Sequence, residues 1–267
     1  MKPWMELGLQ GLALVSTGAI VLWLFSLARR DASIADRFWG LGFALLAAWY
    51  ASRGAGWPPR VHMLLALTAI WGVRLSVHIH VRNRGKPEDQ RYARWRSAGG
   101  ARYWWTSLFR VFLAQAVILW IVSAPLLAGQ TSPEPARFTL LDYVGVAVWL
   151  IGFVFEAVGD AQLAAFRRDP RNSDQVLSSG LWRYTRHPNY FGDCLVWWGI
   201  FLVAAAVPGG GWTVIGPLLM TVLLVRVSGV RLLEAGLSVT RPGYSEYVAR
   251  TSPFIPWPPR RAGPDLE

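Results

Sequence analysis

The feature that most constrains this chain is a series of seven apolar runs. They occupy residues 9–28, 38–53, 61–80, 104–128, 140–166, 190–208 and 212–233. A helix of about 20 apolar residues crosses the roughly 30 Å hydrocarbon layer of a bilayer. The 53% share of hydrophobic residues and the mean hydropathy of +0.30 also depart from a soluble domain. We therefore predict an all-α integral membrane protein, a bundle of about seven transmembrane helices.

The distribution of positive charge predicts the orientation of this bundle. Nineteen Lys and Arg residues lie in 29–37, 81–103, 167–189 and the tail after 233, whereas four lie in the segments on the opposite side. Since Lys and Arg accumulate in cytoplasmic loops, we predict that the N-terminus faces out and the C-terminus faces in. The net charge of +11 then reflects topology and contact with anionic head groups. The chain offers no basic soluble module, so nucleic-acid binding is not expected.

Two predicted spans carry polar residues on one helical face. Glu156 and Asp160 are four residues apart, and Arg167 follows on the same face. Pro188 suits the first turn of a helix, so we expect the sixth span to begin there, with Asn189 and Asp193 on one face. A lone acid at the centre of a membrane costs about 2.5 to 3.5 kcal/mol. These acids must therefore be paired, solvated or bound to a ligand.

Two interpretations of these acids stay open at this point. In one, they neutralise Arg167, Arg226 and Arg231 in a static network. In the other, they line a polar cavity that opens to the cytoplasm between the fifth, sixth and seventh helices. Arg186 and His187, together with Arg183, stand just outside the sixth helix N-terminus, where free N–H groups favour an anionic ligand. Acids for hydroxyl donors, arginines for phosphates and aromatic rings for stacking are typical of a nucleotide pocket.

No metal site is predicted from the sequence. Cys194 is the only cysteine, which excludes an intramolecular disulfide and a zinc site built from cysteines. His78 and His80 are two residues apart, so a helix would point them to different faces.

Four stretches of the chain resemble a known family. SGLWRYTRHPNYFGD (179–193) and RPGYSEYVARTSPFIPWPP (241–259) resemble the steroid 5α-reductase superfamily, and ADRFWGLGF (35–43) and RNRGKPEDQRY (82–92) resemble its poorly characterised bacterial branch. The first motif is shared with sterol double-bond reductases and, more loosely, with isoprenylcysteine and phospholipid methyltransferases. The resemblance implies a reductase in a bacterial inner membrane that holds NADPH in a pocket open to the cytoplasm. Its substrate would be a lipophilic enone or a steroid-like molecule with an activated C=C bond.

The resemblance also assigns residues by position. Its cofactor-binding positions fall on Asn83, Asp160, Arg167, Asn189, Asp193, Tyr247 and Arg250. The early-helix glutamate of the steroid enzymes is not matched; Asp36 is the nearest acid and the candidate to polarise the substrate, with Tyr184 or Tyr92 as the proton donor. The alternative is that Asp36 caps the second helix. The sequence departs from the family at Asp193, where steroid enzymes have Glu, and at 70–72, where their early tyrosine is missing.

These inferences predict one transmembrane domain over 1–267, with a half for lipophilic substrate at 1–128 and a cofactor half at 140–258. The predicted partners are a lipophilic small molecule and membrane lipid, with no obligate protein partner. An S-adenosylmethionine-dependent isoprenylcysteine or lipid methyltransferase is the alternative. Asn189 fits the reductase form of the motif better, and the loop arginines suit phosphates that S-adenosylmethionine lacks. A non-enzymatic lipid-binding or scaffold protein is a third possibility.

Overall fold

The computed structural model of the chain describes residues 2–227 and 242–260. All regular secondary structure within these ranges is helical, with no strand. Among the described helical segments, five are long and apolar enough to cross a membrane: Pro3–Arg29, Pro58–Asn83, Gln90–Val122, Leu140–Arg168 and Gly210–Val227. The protein is therefore an all-α protein with the properties of an integral membrane protein.

The chain divides into two compact units. The first comprises Met1–Tyr143 and Phe201–Gly216, and the second comprises Val144–Ile200 and Pro217–Glu267. Each unit holds one of the two groups of candidate functional residues described below.

The first unit is built mainly from eight helices in its described part. They are α1 Pro3–Arg29, α2 Ile34–Arg37, α3 Trp39–Arg53, α4 Pro58–Asn83, α5 Gln90–Gly99, α6 Tyr103–Ser107, α7 Ala114–Val122 and α8 Ala124–Thr131. A π-helical segment, Leu108–Leu113, connects α6 to α7. Helices α3 and α4 approach so closely at Gly40 and Gly72 that a Cβ on either glycine would collide with the backbone of the other. Small residues permit this contact between membrane helices.

The second unit contains the remaining helices. In the described residues they are α9 Leu140–Arg168, α10 Pro188–Ala205, α11 Ile215–Val222 and α12 Tyr244–Arg250, of which α9, α10 and α11 each have one end in the first unit. Two 3-10 turns, Pro170–Asn172 and Gly180–Arg183, lie in the connection between α9 and α10.

Glycines set the distance between α9 and α10. A Cβ on Gly192 would lie 2.5 Å from the Gly152 carbonyl oxygen and 2.8 Å from Glu156 Cβ. A Cβ on Gly159 would lie 3.2 Å from the Asn189 backbone nitrogen. Gly152 and Gly159 are seven residues apart, which places them on nearly the same helical face. This packing brings the polar end of α9 beside the first turn of α10.

The structure refines the predicted spans. It confirms that the sixth begins at Pro188. It corrects the run at 104–128, which is broken at Ser123 between α7 and α8. Pro125 explains the break, because it has no N–H and its ring disfavours the preceding helix. Helix α3 has 15 residues and is about 22 Å long, shorter than the hydrocarbon layer. Residues 228–233 of the predicted seventh span, with Arg231, lie outside the described residues.

Arg60 is a buried cation whose partner the sequence did not indicate. It lies in the first turn of α4 and is 0% exposed. Its Nε donates to Asp142 Oδ1 at 2.8 Å and its Nη2 to Asp142 Oδ2 at 3.1 Å. The guanidinium also donates to the backbone oxygens of Pro135 and Arg137. Every nitrogen of this buried cation is therefore hydrogen bonded.

Candidate functional site

Asp160 and Asn189 meet in the second unit. Asn189 Nδ2 donates to Asp160 Oδ1 at 3.0 Å, and Asp160 is 6% exposed. The side-chain oxygen of Asn189 accepts from the Tyr190 backbone N–H at 3.1 Å. The predicted meeting of an acid on the fifth span with an amide on the sixth is therefore observed, although neither residue belongs to the lining of the basic cavity of this unit. The glycine contact between α9 and α10 makes it possible.

Two further acids are buried on the same helices. Glu156 is 2% exposed and Asp193 is 8% exposed. Glu156 packs against Gly192 of α10, the residue that precedes Asp193. Arg167 lies at the exposed end of α9.

The motif that precedes α10 is tied to the C-terminal segment. Arg186 Nη1 donates to the backbone oxygens of Val248 at 3.1 Å and Thr251 at 3.0 Å, and its backbone N–H donates to Ser252 O at 2.9 Å. Thr185 Oγ1 donates to the backbone oxygen of Phe254 at 2.8 Å. Arg186 is only 8% exposed. It holds two segments together, a structural role that the sequence did not predict.

His187 is also buried, at 3% exposure, and stacks on Tyr190 with ring centroids 5.6 Å apart. Trp182 Nε1 donates to the Gly159 carbonyl at 3.0 Å, and Tyr247 OH donates to the Trp182 carbonyl at 2.6 Å. These bonds hold Tyr247 and the 3-10 turn Gly180–Arg183 against α9, one residue from Asp160.

A cavity of about 780 Å³ opens beside this turn. Its charged lining residues are three arginines, Arg183, Arg250 and Arg260, and two acids, Asp174 and Glu246, and Tyr247 also lines it. Within the described part of the chain these arginines form no ion pair, and all of them are exposed. Three arginines against two acids leave the lining with an excess of one positive charge, which favours an anion. The volume is in the range of pockets that bind small molecules and cofactors.

A second polar group lies in the first unit and involves Asp36. Tyr92 OH donates to Asp36 Oδ1 at 2.6 Å, and Arg91 Nη2 lies 2.7 Å from Asp36 Oδ2. Gln115 Nε2 donates to both Asp36 Oδ1 and Tyr92 OH, each at 3.2 Å. The side chain of Asp36 is 21% exposed, whereas Tyr92 is 3% exposed. Asp36 therefore does not cap the second span, since α3 begins after Phe38 with no side-chain cap.

An apolar cavity of about 470 Å³ adjoins this cluster. Its walls come from α1, α3 and α7, and Gln115 belongs both to the wall and to the Asp36 cluster. The cavity thus offers an apolar volume with a polar group at its boundary.

Asp89 fixes the start of α5, which carries Tyr92. Its side chain caps the helix by accepting from the Arg91 backbone N–H at 2.9 Å. Burial alone would raise the pKa of the Asp89 carboxyl, but hydrogen bonds from the Arg91 side chain and backbone hold the pKa below its ordinary value. Asp89 is therefore a charged cap.

The remaining predicted residues lie apart from these clusters. Asn83 ends α4 and lines a basic cavity of the first unit. Tyr184 belongs to the second unit and is 42% exposed, with its backbone oxygen accepting from Trp257 N–H. Tyr92 is therefore the tyrosine that is hydrogen bonded to Asp36.

Two candidate residues escaped the sequence analysis. Gln115 is a lone amide inside the apolar run 104–128, and polar residues inside a span often mark a functional site. Arg260 lies one residue beyond the matched C-terminal motif. The first carried a signal that was overlooked. Arg260 is a candidate only because the structure shows that it lines the cavity of the second unit.

Three comparisons place the chain among known proteins. Residues 22–251 match the sequence profile of a family described as protein of unknown function, DUF1295. An uncharacterized protein of Schizosaccharomyces pombe is 24% identical over 265 residues, which covers 88% of this chain and 76% of the yeast protein. No solved structure matches the chain significantly.

Proposed function

We propose, given that this chain belongs to the DUF1295 family of proteins of unknown function, that it is an NADPH-dependent oxidoreductase embedded in a membrane. Its substrate would be a lipophilic enone or steroid-like molecule, reduced at an activated C=C bond. The proposal includes a bundle of about seven helices, with the N-terminus out and the C-terminus in. The membrane would be a bacterial inner membrane and the cofactor pocket would open to the cytoplasm.

The observation that carries the proposal is the arginine-lined cavity of the second unit. It combines Tyr247 and Arg250, both expected at the cofactor, with Arg183 and Arg260. Guanidinium groups match phosphate oxygens in geometry and charge. A dinucleotide with several phosphates fits this set better than S-adenosylmethionine, which has none.

Residues of α9 and α10 supply the polar contacts that the rest of a dinucleotide requires. Asp160 accepts hydrogen bonds from hydroxyl groups, and Asn189 both donates and accepts. They already hold each other at 3.0 Å, so their side chains are oriented before any ligand binds. NADPH would supply a hydride when bound. In this proposal, the arginines bind its phosphates while Asp160 and Asn189 orient the remainder.

The first unit provides the residues for the substrate. The apolar cavity excludes water and accommodates a hydrocarbon skeleton. Tyr92 holds a proton at its hydroxyl, and Asp36 and Gln115 fix the orientation of that hydroxyl. Tyr92 donates its single O–H to Asp36, so to act as a general acid it would turn that O–H to a substrate oxygen. Asp36 in this proposal holds the hydroxyl of Tyr92 in position until the substrate binds.

The experiment is a titration of the purified protein in detergent with NADPH, NADH and S-adenosylmethionine, followed by tryptophan fluorescence. We expect NADPH to bind the wild type, and Arg183→Ala and Arg250→Ala each to weaken binding about tenfold or more, because a charge-assisted contact is lost. Arg171→Ala is the matched control, since Arg171 is an exposed loop arginine that pairs with Asp169 outside the cavity.

Each outcome separates the candidate functions. A response to S-adenosylmethionine alone would identify a methyltransferase. No response to any of the three would favour a protein that binds lipid without catalysis. Equal weakening by Arg171→Ala would show that the cavity has no special role in binding.

A further inference from the structure

A second basic cavity lies in the first unit, and its lining includes Ile34 and Arg37 from the short helix that carries Asp36. Its volume is about 470 Å³, and it lies between the end of α1 and the loop that follows α4. Five Lys or Arg residues line it: the four cations Arg29, Arg30, Arg84 and Lys86, and Arg37, which pairs with Asp31. The first two follow directly on the apolar run of α1, so the cavity lies at the end of a helix long enough to cross a membrane.

The two acids of this cavity are already engaged by other residues. Asp31 Oδ2 pairs with Arg37 at 2.9 Å, while its Oδ1 accepts from Ser33 N–H. Glu88 accepts from both Nε and Nη2 of Arg96, at 2.9 and 2.8 Å, and also from the Ala32 N–H.

The four cations therefore retain their charge. Within residues 2–227 and 242–260, none of the four forms an ion pair with a carboxylate. The negative ends of α1 and α4 do point this way, and each macrodipole amounts to roughly half an elementary charge. Those two half charges offset about one of the four positive charges. The cavity is consequently suited to an anion that brings its own negative charge.

The apolar surface beside the cavity indicates what kind of anion it takes. Phe25 forms part of the wall and is 51% exposed. Val21 and Leu24, one turn or less before it on α1, are 59% and 55% exposed. A path of exposed apolar side chains thus runs from the cations along a membrane-crossing helix. A nucleotide or free phosphate would leave this path unused, whereas a lipid would place its acyl chains along it.

We infer that this cavity binds the head group of an anionic phospholipid, with Arg29, Arg30, Arg84 and Lys86 around the phosphate and an acyl chain against Phe25. Basic residues immediately beyond a membrane helix attract anionic lipid through short-range electrostatics. The inference does not depend on the proposed reductase chemistry, and it assigns Asn83, a cofactor position in the family resemblance, to the wall of a lipid site instead. It would keep one lipid at the α1–α4 edge of the first unit.

Native mass spectrometry of the detergent-purified protein tests this inference. The protein is mixed with equal amounts of phosphatidylglycerol and phosphatidylcholine, and the lipids retained per protein are counted. We expect retention of one phosphatidylglycerol in preference to phosphatidylcholine. Arg84→Gln/Lys86→Gln should weaken that retention roughly 30-fold, as expected for the loss of two cation contacts near a membrane surface.

Arg94→Gln/Arg102→Gln is the matched control. Both residues are exposed cations in the same polar stretch 81–103, and neither lines the cavity. Their replacement removes the same net charge and should leave retention unchanged. Equal loss in this control would show that overall charge, and not the cavity, selects the lipid. Thermal unfolding of both double variants in phosphatidylcholine, with matching midpoints, shows that they are folded.

Two further outcomes would overturn the inference. Equal retention of both lipids by the wild type would show that the cavity does not select anionic head groups. Displacement of phosphatidylglycerol by saturating NADPH or by inorganic phosphate would show that the cavity is a nucleotide or phosphate site. Failure of the reductase proposal alone would leave the lipid counts as expected.

Discussion

Replacement of Gly192 by alanine should loosen the contact between α9 and α10 and disrupt the Asp160–Asn189 pair. The new Cβ would lie 2.5 Å from the Gly152 carbonyl oxygen, whereas ordinary contacts begin near 3.4 Å. Since the obstacle is backbone, the helices must separate by about 0.9 Å, the difference between those distances. The same movement would lengthen the Asn189 to Asp160 distance of 3.0 Å beyond hydrogen-bonding range.

The energetic consequence follows from two opposing effects. Overpacking of a tight contact costs about 1 to 3 kcal/mol, while alanine in a helix gains up to about 1 kcal/mol over glycine. We expect a net loss of about 1 to 2 kcal/mol, which corresponds to a fall in the unfolding midpoint of about 2–8 °C. NADPH affinity should fall as well, because Asp160 and Asn189 are no longer held together.

Gly18→Ala is the matched control for this prediction. Gly18 is also in a helix, but nothing lies within 4 Å of a Cβ placed there. Alanine at this position should leave the midpoint unchanged or raise it, and NADPH binding should not change. The assays are thermal unfolding in detergent and the fluorescence titration. If Gly192→Ala were as stable as Gly18→Ala and bound NADPH normally, the glycine contact would not position the site.

Three other substitutions test separate features. Arg60→Met should destabilise the protein by about 3–5 kcal/mol, because it leaves the Asp142 carboxylate buried without its cation, and Arg60→Met/Asp142→Leu should recover much of that loss in thermal unfolding. Tyr92→Phe should lower the reduction rate by about 10²- to 10⁴-fold and leave the NADPH affinity unchanged. Tyr184→Phe should have little effect on the rate. The reverse pattern would identify Tyr184 as the proton donor. Asp89→Ala should cost about 0.5 to 2 kcal/mol by removing the cap of α5. Because the pKa of Asp89 is lowered in the folded state, its contribution to stability is present above the unfolded pKa and is lost as the pH falls through the folded pKa. The unfolding midpoint of the wild type should therefore fall more on acidification than the midpoint of Asp89→Ala. An equal fall in both proteins would contradict this.

The sequence predicted those features that depend on one helix or on helix ends. Pro188 starts α10 because a proline suits the first turn of a helix. Asp160 and Asn189 were expected to converge because each belongs to a polar face of an apolar helix, and they do. The class of the protein followed from composition and the length of its apolar runs.

Other features depend on contacts between residues far apart in the chain. Asp36 and Tyr92 are 56 residues apart, and no local pattern predicts that their side chains meet. The role of Arg186 was missed for the same reason, since its acceptors are backbone oxygens near the C-terminus. The Arg60–Asp142 ion pair was not predicted because the two residues are 82 positions apart in the chain.

The bonds between the α10 motif and the C-terminal segment have a consequence for how this protein can change over evolutionary time. Arg186, Thr185 and Tyr184 all bond to backbone atoms at Thr251, Ser252, Phe254 or Trp257. Because those partners are main-chain groups, the side chains of the C-terminal segment can be substituted without loss of these bonds. The length and the backbone path of the segment cannot change without breaking them. Insertions or deletions between α12 and residue 257 should therefore be rarer among relatives than substitutions there.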